Sequence, residues 1–508
     1  MAPESCPRCG QTDPGPVACP RCGVVFAKLR ERMPGPPPPP IIVPRAREGL
    51  PWNGILGVAA ALALLLFGMS RLRPRTGPAP AAEATPASAP AETPAAVAEA
   101  PPPDLPDAAP LLPPLSSELA SAQGVTDAER TRVEDLHRRL SGGSGMSPED
   151  AAAAESLLAA HPDEPALKQL AAAVLNGAAF REREKRRFAE AAGLLQRATA
   201  LLPGNAQLWL NLMQVHIEAG DWAGAEAAAR AALAVEPRHA DALKGLGYAL
   251  FRQDRSREAG ETLATAQEVA PDARTQAMLD RIRRGMLTER GMAQQSLSHF
   301  NVRYDGGEHA DVGREILRAL ERHYATLTSS LDHQPSTAIP VILFTSQGYY
   351  DASGAPAWSG GSYDNIDGRI RLPIGGLTAS LTPDLDETLI HELTHAFVAD
   401  ATRGTAPREV HEGLAQYMEG KRSANLLNAE QMRALADGRI VGVSGFYLGA
   451  LSFVEHLIAT RGMGGVNDLL DAMGATGNVD EAFRQVHGQP YSAVQQAWRA
   501  RLAQQHGS

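Results

Sequence analysis

The spacing of apolar residues changes along this chain, and each change marks a different kind of segment. Residues 52–70 are almost wholly apolar, whereas residues 172–273 place apolar and small residues at helical spacing between short polar turns. Residues 338–344 form a continuous β-rich run, and residues 361–373 predict a hairpin with a turn at Asp-Gly. Helical periodicity then continues to the end. The pattern predicts a chain of several domains.

Small residues and prolines recur with a fixed period in residues 172–273. Pro203, Pro237 and Pro271 are 34 residues apart. Alanines occupy two further positions of the same frame, namely Ala191, Ala225, Ala259, Ala198, Ala232 and Ala266. Small residues let paired helices approach closely, and the proline ends the second helix of each pair. A generic alanine-rich bundle is the alternative.

This period resembles that of the tetratricopeptide repeat, a helix–turn–helix unit. We expect three repeats, 172–205, 206–239 and 240–273, inside a helical repeat domain at 121–290 whose flanking helices act as caps. Stacks of this kind present a concave surface to peptides and proteins, so the repeats predict a protein partner.

All the cysteines lie near the N terminus, in two copies of Cys-Pro-Arg-Cys-Gly. Each copy can point two sulfurs at one ion, and together they supply the four thiolates of a structural zinc site. Residues 1–32 therefore resemble a small zinc ribbon. Its ligands would be Cys6, Cys9, Cys19 and Cys22. A redox pair or disulfides are the alternatives.

The apolar stretch at residues 52–70 predicts one transmembrane helix, because about 18 helical residues span about 27 Å. A proline-rich spacer at 33–51 precedes it, and a Pro/Ala-rich linker at 71–120, expected to be disordered, follows it. A cleavable signal peptide and a buried helix are the alternatives. Since a thiolate zinc site persists best in a reducing compartment, we expect a single-pass membrane protein with a cytoplasmic N terminus. The repeats and the C-terminal domain would then be extracytoplasmic.

A metal-binding motif, Leu-Ile-His-Glu-Leu-Thr-His, lies at residues 389–395. Thr382 and Pro383 predict the start of its helix. His391 and His395 are four residues apart and share one face, so both imidazoles can bind Zn²⁺. Glu392 lies beside them as a general base toward water activated by the metal. Two exposed histidines without a metal are the alternative.

A second helix is predicted from Pro407 to about Gly420 and contains Glu-Gly-Leu-Ala-Gln-Tyr. Together the two motifs resemble those of the gluzincin metallopeptidases, in particular their peptidase-MA-like branch. The resemblance implies an α+β, thermolysin-like zincin domain at 291–508, with Glu412 as the third zinc ligand. His411 and Asp400 are weighed as other ligands, and Glu409 as a partner of a ligand histidine.

The resemblance also implies a catalytic role for Tyr447, whose hydroxyl would stabilise the oxyanion; simple packing is the alternative. In zincins an edge strand beside the zinc helix binds the extended peptide, and we expect residues 369–372 to be that strand.

The net charge of −10 gives no reason to expect nucleic acid as a partner. The sequence therefore predicts a membrane-anchored zinc metallopeptidase with one structural and one catalytic Zn²⁺ and a peptide or protein substrate. The alternative is a non-catalytic repeat scaffold with a degenerate peptidase domain.

Overall fold

The computed structural model describes residues 41–42, 109–111, 124–143, 145–304, 310–344, 349, 361–374 and 381–506. The predicted zinc ribbon, with Cys6, Cys9, Cys19 and Cys22, and the predicted transmembrane helix at 52–70 lie outside these residues.

The prediction of a single-pass membrane protein is corrected by the structure. None of the helices in the described residues is long and apolar enough to cross a bilayer. The physical reason is that the apolar residues of these helices are interspersed with polar and charged ones and pack into two buried protein cores.

Antiparallel helices form the N-terminal half of the described chain. In chain order they are α1 (Asp127–Ser141), α2 (Pro148–Ala160), α3 (Pro165–Glu184), α4 (Phe188–Leu201), α5 (Ala206–Ala219), α6 (Trp222–Val235), α7 (Ala240–Arg252), α8 (Ser256–Val269) and α9 (Ala273–Thr288). We call them the repeat array.

The predicted tetratricopeptide-like solenoid is confirmed. Helices α4, α6 and α8 each end two residues before one of the spaced prolines. The six in-frame alanines are fully buried, which is why only a small side chain fits there. Gly247 shows the same constraint, since a Cβ there would lie 2.5 Å from Cγ of Leu263.

The C-terminal half combines a sheet with helices. Its strands are β2 (Ala293–Leu297), β3 (Phe300–Tyr304), β4 (Ile339–Phe344), β5 (Ser362–Asp364) and β6 (Arg369–Pro373), while β1 (Ile41–Ile42) pairs with β7 (Ile440–Val441). Its helices are α10 (Ala310–Leu331), α11 (Pro383–Thr402), α12 (Arg408–Met418), α13 (Ser423–Leu426), α14 (Ala429–Ala436), α15 (Gly442–Thr476), α16 (Val479–His487) and α17 (Tyr491–His506).

The larger sheet has the order β2-β3-β4-β6-β5. The predicted hairpin is present, because β5 pairs antiparallel with β6 and Gly368 has a φ of +68° in the turn. Residues 369–372, however, belong to β6, which lies between β4 and β5. The expectation that they form the edge strand is wrong: among the described strands, the one at the edge beside the metal-motif helix is β5.

Arginines of both halves connect the repeat array to this hairpin. Arg369 is buried, and its guanidinium contacts Asp254 at 2.8 Å and Glu289 at 3.2 Å. Arg252 of α7 donates to the carbonyl of Asn365 at 3.1 Å. The array therefore holds the turn that carries the edge strand.

Candidate metal centre

Three side chains from two helices meet at the centre of the C-terminal half. His391 Nε2 and His395 Nε2 are 3.2 Å apart on α11. Glu412 Oε2, on α12, lies 3.6 Å from the first nitrogen and 3.7 Å from the second. We call these three residues the metal triad.

The triad fits a tetrahedral zinc ion in size and in chemistry. Ligand atoms at bonds of about 2.1 Å from such an ion lie about 3.4 Å apart, close to the three distances above. Glu412 Oε2 is buried and has no hydrogen-bond partner, which leaves it available as a ligand. Two imidazoles and one carboxylate are also a common catalytic zinc set.

The first triad helix begins where the sequence predicts. Thr382 caps α11 by accepting a hydrogen bond from the Leu385 amide at 3.3 Å, and Pro383 follows in the first turn. From this start the two histidines fall on one face.

Close contact between α12 and α15 sets the position of Glu412. The adjacent Gly413 is packed so tightly that a Cβ would lie 2.3 Å from the carbonyl oxygen of Ala450. Gln416 ties the same helices together by donating to the carbonyls of Glu412 at 3.0 Å and Tyr447 at 2.9 Å. Close packing of the two helices therefore explains why glycine follows Glu412 in the sequence.

A residue that the sequence analysis missed orients one triad histidine. Glu419 Oε1 forms a short hydrogen bond with His391 Nδ1, which leaves Nε2 directed at the other ligands. A carboxylate in this position fixes the tautomer of a metal-binding histidine. Glu419 follows Glu412 by seven residues, two turns along one helix face, and that spacing is the signal that could have found it.

Glu392 follows His391 on α11, and its side chain is buried. Burial, together with the charge of Glu412, raises the pKa of Glu392 to about 7, although the charge of His391 lowers it in part. The Tyr363 amide of β5 donates to its carboxylate. Glu392 therefore links the triad to the edge strand.

Carboxylates give this site a negative field. Burial alone would lower the pKa of His391, but the nearby Glu412 carboxylate and the hydrogen bond with Glu419 raise it to about 10. Burial and the charge of His391 lower the pKa of His395, which leaves its imidazole neutral, the form that binds a metal ion.

The alternative ligands are not part of the triad. The His411 ring is tilted against that of His395, with ring centroids 5.6 Å apart, and burial lowers the pKa of His411 to about 4. Asp400 contacts His333 Nε2 at 2.9 Å. Glu409 lies near Tyr491, whose pKa is raised by burial and then by the Glu409 charge.

Tyr447 lies in the second turn of α15. Burial raises its pKa and the negative charge of Glu412 raises it further, although the charge and hydrogen bond of Arg408 lower it in part. Its phenol is thus kept in the protonated form that can donate a hydrogen bond.

Comparisons with known proteins identify the repeats. The tetratricopeptide repeat profile matches residues 182–234 and 216–282. This part of the chain therefore consists of tetratricopeptide repeats. No curated protein matches the chain.

Two solved structures show some similarity. The first tetratricopeptide repeat domain of Spaghetti (RPAP3) bound to the HSP90 peptide SRMEEVD has 20% identity, covering 23% of this chain and 93% of that one, with a TM-score of 0.22. A tetratricopeptide repeat protein from Parabacteroides merdae has 14% identity, covering 57% and 98%, with a TM-score of 0.29. Among the comparisons, the family profile supports the tetratricopeptide repeats and nothing further.

Proposed function

We propose that this protein is a zinc-dependent peptidase whose repeats bind protein. The observation that carries the proposal is the metal triad, in which three ligand atoms lie 3.2, 3.6 and 3.7 Å apart. A buried glutamate with a pKa of about 7, Glu392, lies on the adjacent position.

His391, His395 and Glu412 would hold the ion, with Glu419 fixing His391. A zinc ion there supplies Lewis acidity toward water and a carbonyl oxygen. Glu392 takes a proton from the attacking water and later gives it to the leaving amine, a transfer suited to its near-neutral pKa. Tyr447 donates a hydrogen bond to the oxygen that gains negative charge.

The position of the edge strand β5 is the reason for proposing a peptide as the substrate. An extended peptide can add to the outer edge of β5 by main-chain hydrogen bonds. Gly361, just before β5, packs so closely that a Cβ would lie 3.0 Å from Cγ of Glu392. A peptide on this edge would therefore lie next to the general base.

Zinc content and peptide hydrolysis of the full chain test the proposal. We expect Glu412→Ala to lose one equivalent of zinc relative to wild type, and Glu392→Gln to keep the zinc but lose hydrolysis of a peptide library by at least about 100-fold. Glu409→Gln, on the same helix as Glu412 but away from the triad, is the matched control. Equal zinc in wild type and Glu412→Ala would overturn the proposal.

The second candidate is a non-catalytic repeat scaffold. It is favoured by the comparisons, which support the repeats alone. Full zinc occupancy without any Glu392-dependent hydrolysis would support the scaffold.

A further inference from the structure

A short stretch of the chain lies against the first helices of two successive repeats. The Ala109 amide donates to Asn211 Oδ1 at 3.0 Å, and Asn211 Nδ2 donates to the Ala109 carbonyl at 2.8 Å. Asn176 Nδ2 donates to the same carbonyl at 3.4 Å. A side-chain amide that pairs with both groups of one residue recognises the peptide main chain, whatever the side chain is.

The two asparagines are held in place by other bonds. Asn211 Nδ2 also donates to Asn176 Oδ1 at 2.8 Å, and Gln207 Nε2 donates to Asn211 Oδ1 at 2.9 Å. Both asparagines are 1% exposed, on α3 and α5. Their orientation is thus fixed by the array, and such preorganisation lowers the entropic cost of binding a peptide.

The rest of the stretch adds side-chain contacts. Leu111 packs, partly buried, against the core of the array. Pro110, between Ala109 and Leu111, is exposed, and its ring favours an extended backbone. We call residues 109–111 the resident segment. It falls in the linker that the sequence predicts to be disordered, and these contacts explain why it has a defined position.

We propose that the resident segment is an intramolecular ligand in a peptide-binding site of the repeats. The partner that this site fits is an extended peptide with a small residue followed by Pro-Leu, and it binds by displacing the resident segment. The proposal is independent of the metal triad.

Tethering makes the resident segment a strong competitor. Residues 112–123 join it to the array, and a tether this short gives an effective concentration on the order of 1 mM. If the free peptide has a Kd on the order of 100 µM, the tethered copy weakens its apparent binding about ten-fold.

Binding of a labelled synthetic peptide with the sequence of residues 106–113, PDAAPLLP, to the full chain tests this. We expect the double substitution Ala109→Pro and Leu111→Asp, which removes the donating amide and the apolar contact, to tighten peptide binding about ten-fold. Ala98→Pro, in the same linker but outside the resident segment, is the matched control and should bind like wild type. A peptide with proline in place of Ala109 should bind at least about ten-fold more weakly.

Equal peptide affinity of the wild-type and doubly substituted chains would overturn the proposal. Amide hydrogen exchange of wild type gives a second measurement that requires no folded variant. The Ala109 amide should be protected, and exchange at the rate of a free peptide would also overturn the proposal.

Discussion

Replacing Glu419 by glutamine should weaken zinc binding at the triad. The side chain of Glu419 is 5% exposed and bonds to His391 Nδ1, so the substitution removes a buried negative charge without changing the shape. The loss of such an outer partner typically reduces metal affinity 10- to 100-fold, which corresponds to about 1.4–2.8 kcal/mol.

The assay is competition for zinc against a chelator of known affinity, with serine at all four cysteines so that only the triad is counted. Glu409→Gln carries the same change on the same helix and should bind zinc like wild type. The reasoning is refuted if Glu419→Gln keeps wild-type affinity, or if Glu409→Gln loses as much. Thermal unfolding of both variants shows whether a loss reflects misfolding instead.

Three further predictions concern packing and charge. Gly413→Ala should cost about 1–3 kcal/mol in the free energy of unfolding and lower the zinc content, because the new Cβ would collide with a carbonyl oxygen of α15. The control Gly193→Ala should be tolerated, because the space around Gly193 is open. Denaturant unfolding measures the stability of both variants. Arg369→Met should cost about 1–3 kcal/mol, because Asp254 and Glu289 lose one of their two arginine partners and keep only Arg303. The exposed Arg283→Met should cost under about 1 kcal/mol in the same assay. Burial alone would raise the pKa of Asp367, but the neighbouring arginines lower it below its usual value. The ionised Asp367 therefore stabilises the fold at pH values above the pKa that it has in the unfolded chain. This stabilisation is lost as the pH falls through the lower pKa of the folded state. Asp367→Asn should therefore destabilise at pH 7, with the difference from wild type shrinking below about pH 4 in urea melts.

The helical repeats could be predicted from the sequence, because the rules that form them act between residues close together in the chain. Pro203 and its equivalents end helices because proline lacks an amide hydrogen, and the in-frame alanines are buried because only small side chains fit between paired helices. The start of α11 at Thr382 follows from the same kind of local rule.

The metal triad depends partly on local sequence and partly on tertiary packing. His391 and His395 share a face because of helix geometry alone, so their proximity follows from the sequence. Bringing Glu412 to them depends on how α12 packs on α11 and α15, which the sequence indicated only through resemblance to a family. The close contact at Gly413 is the tertiary feature that sets its position.

Tertiary structure alone decided which carboxylate orients His391, which strand lies at the sheet edge and where the resident segment binds. Glu409 and Glu419 are both one or two turns from Glu412, and only the approach of α11 selects the second. Strand order depends on pairing between β4 and β6, far apart in sequence. The sequence determined what each segment forms, because those rules act within a few residues; the contacts between segments depend on packing across the whole chain.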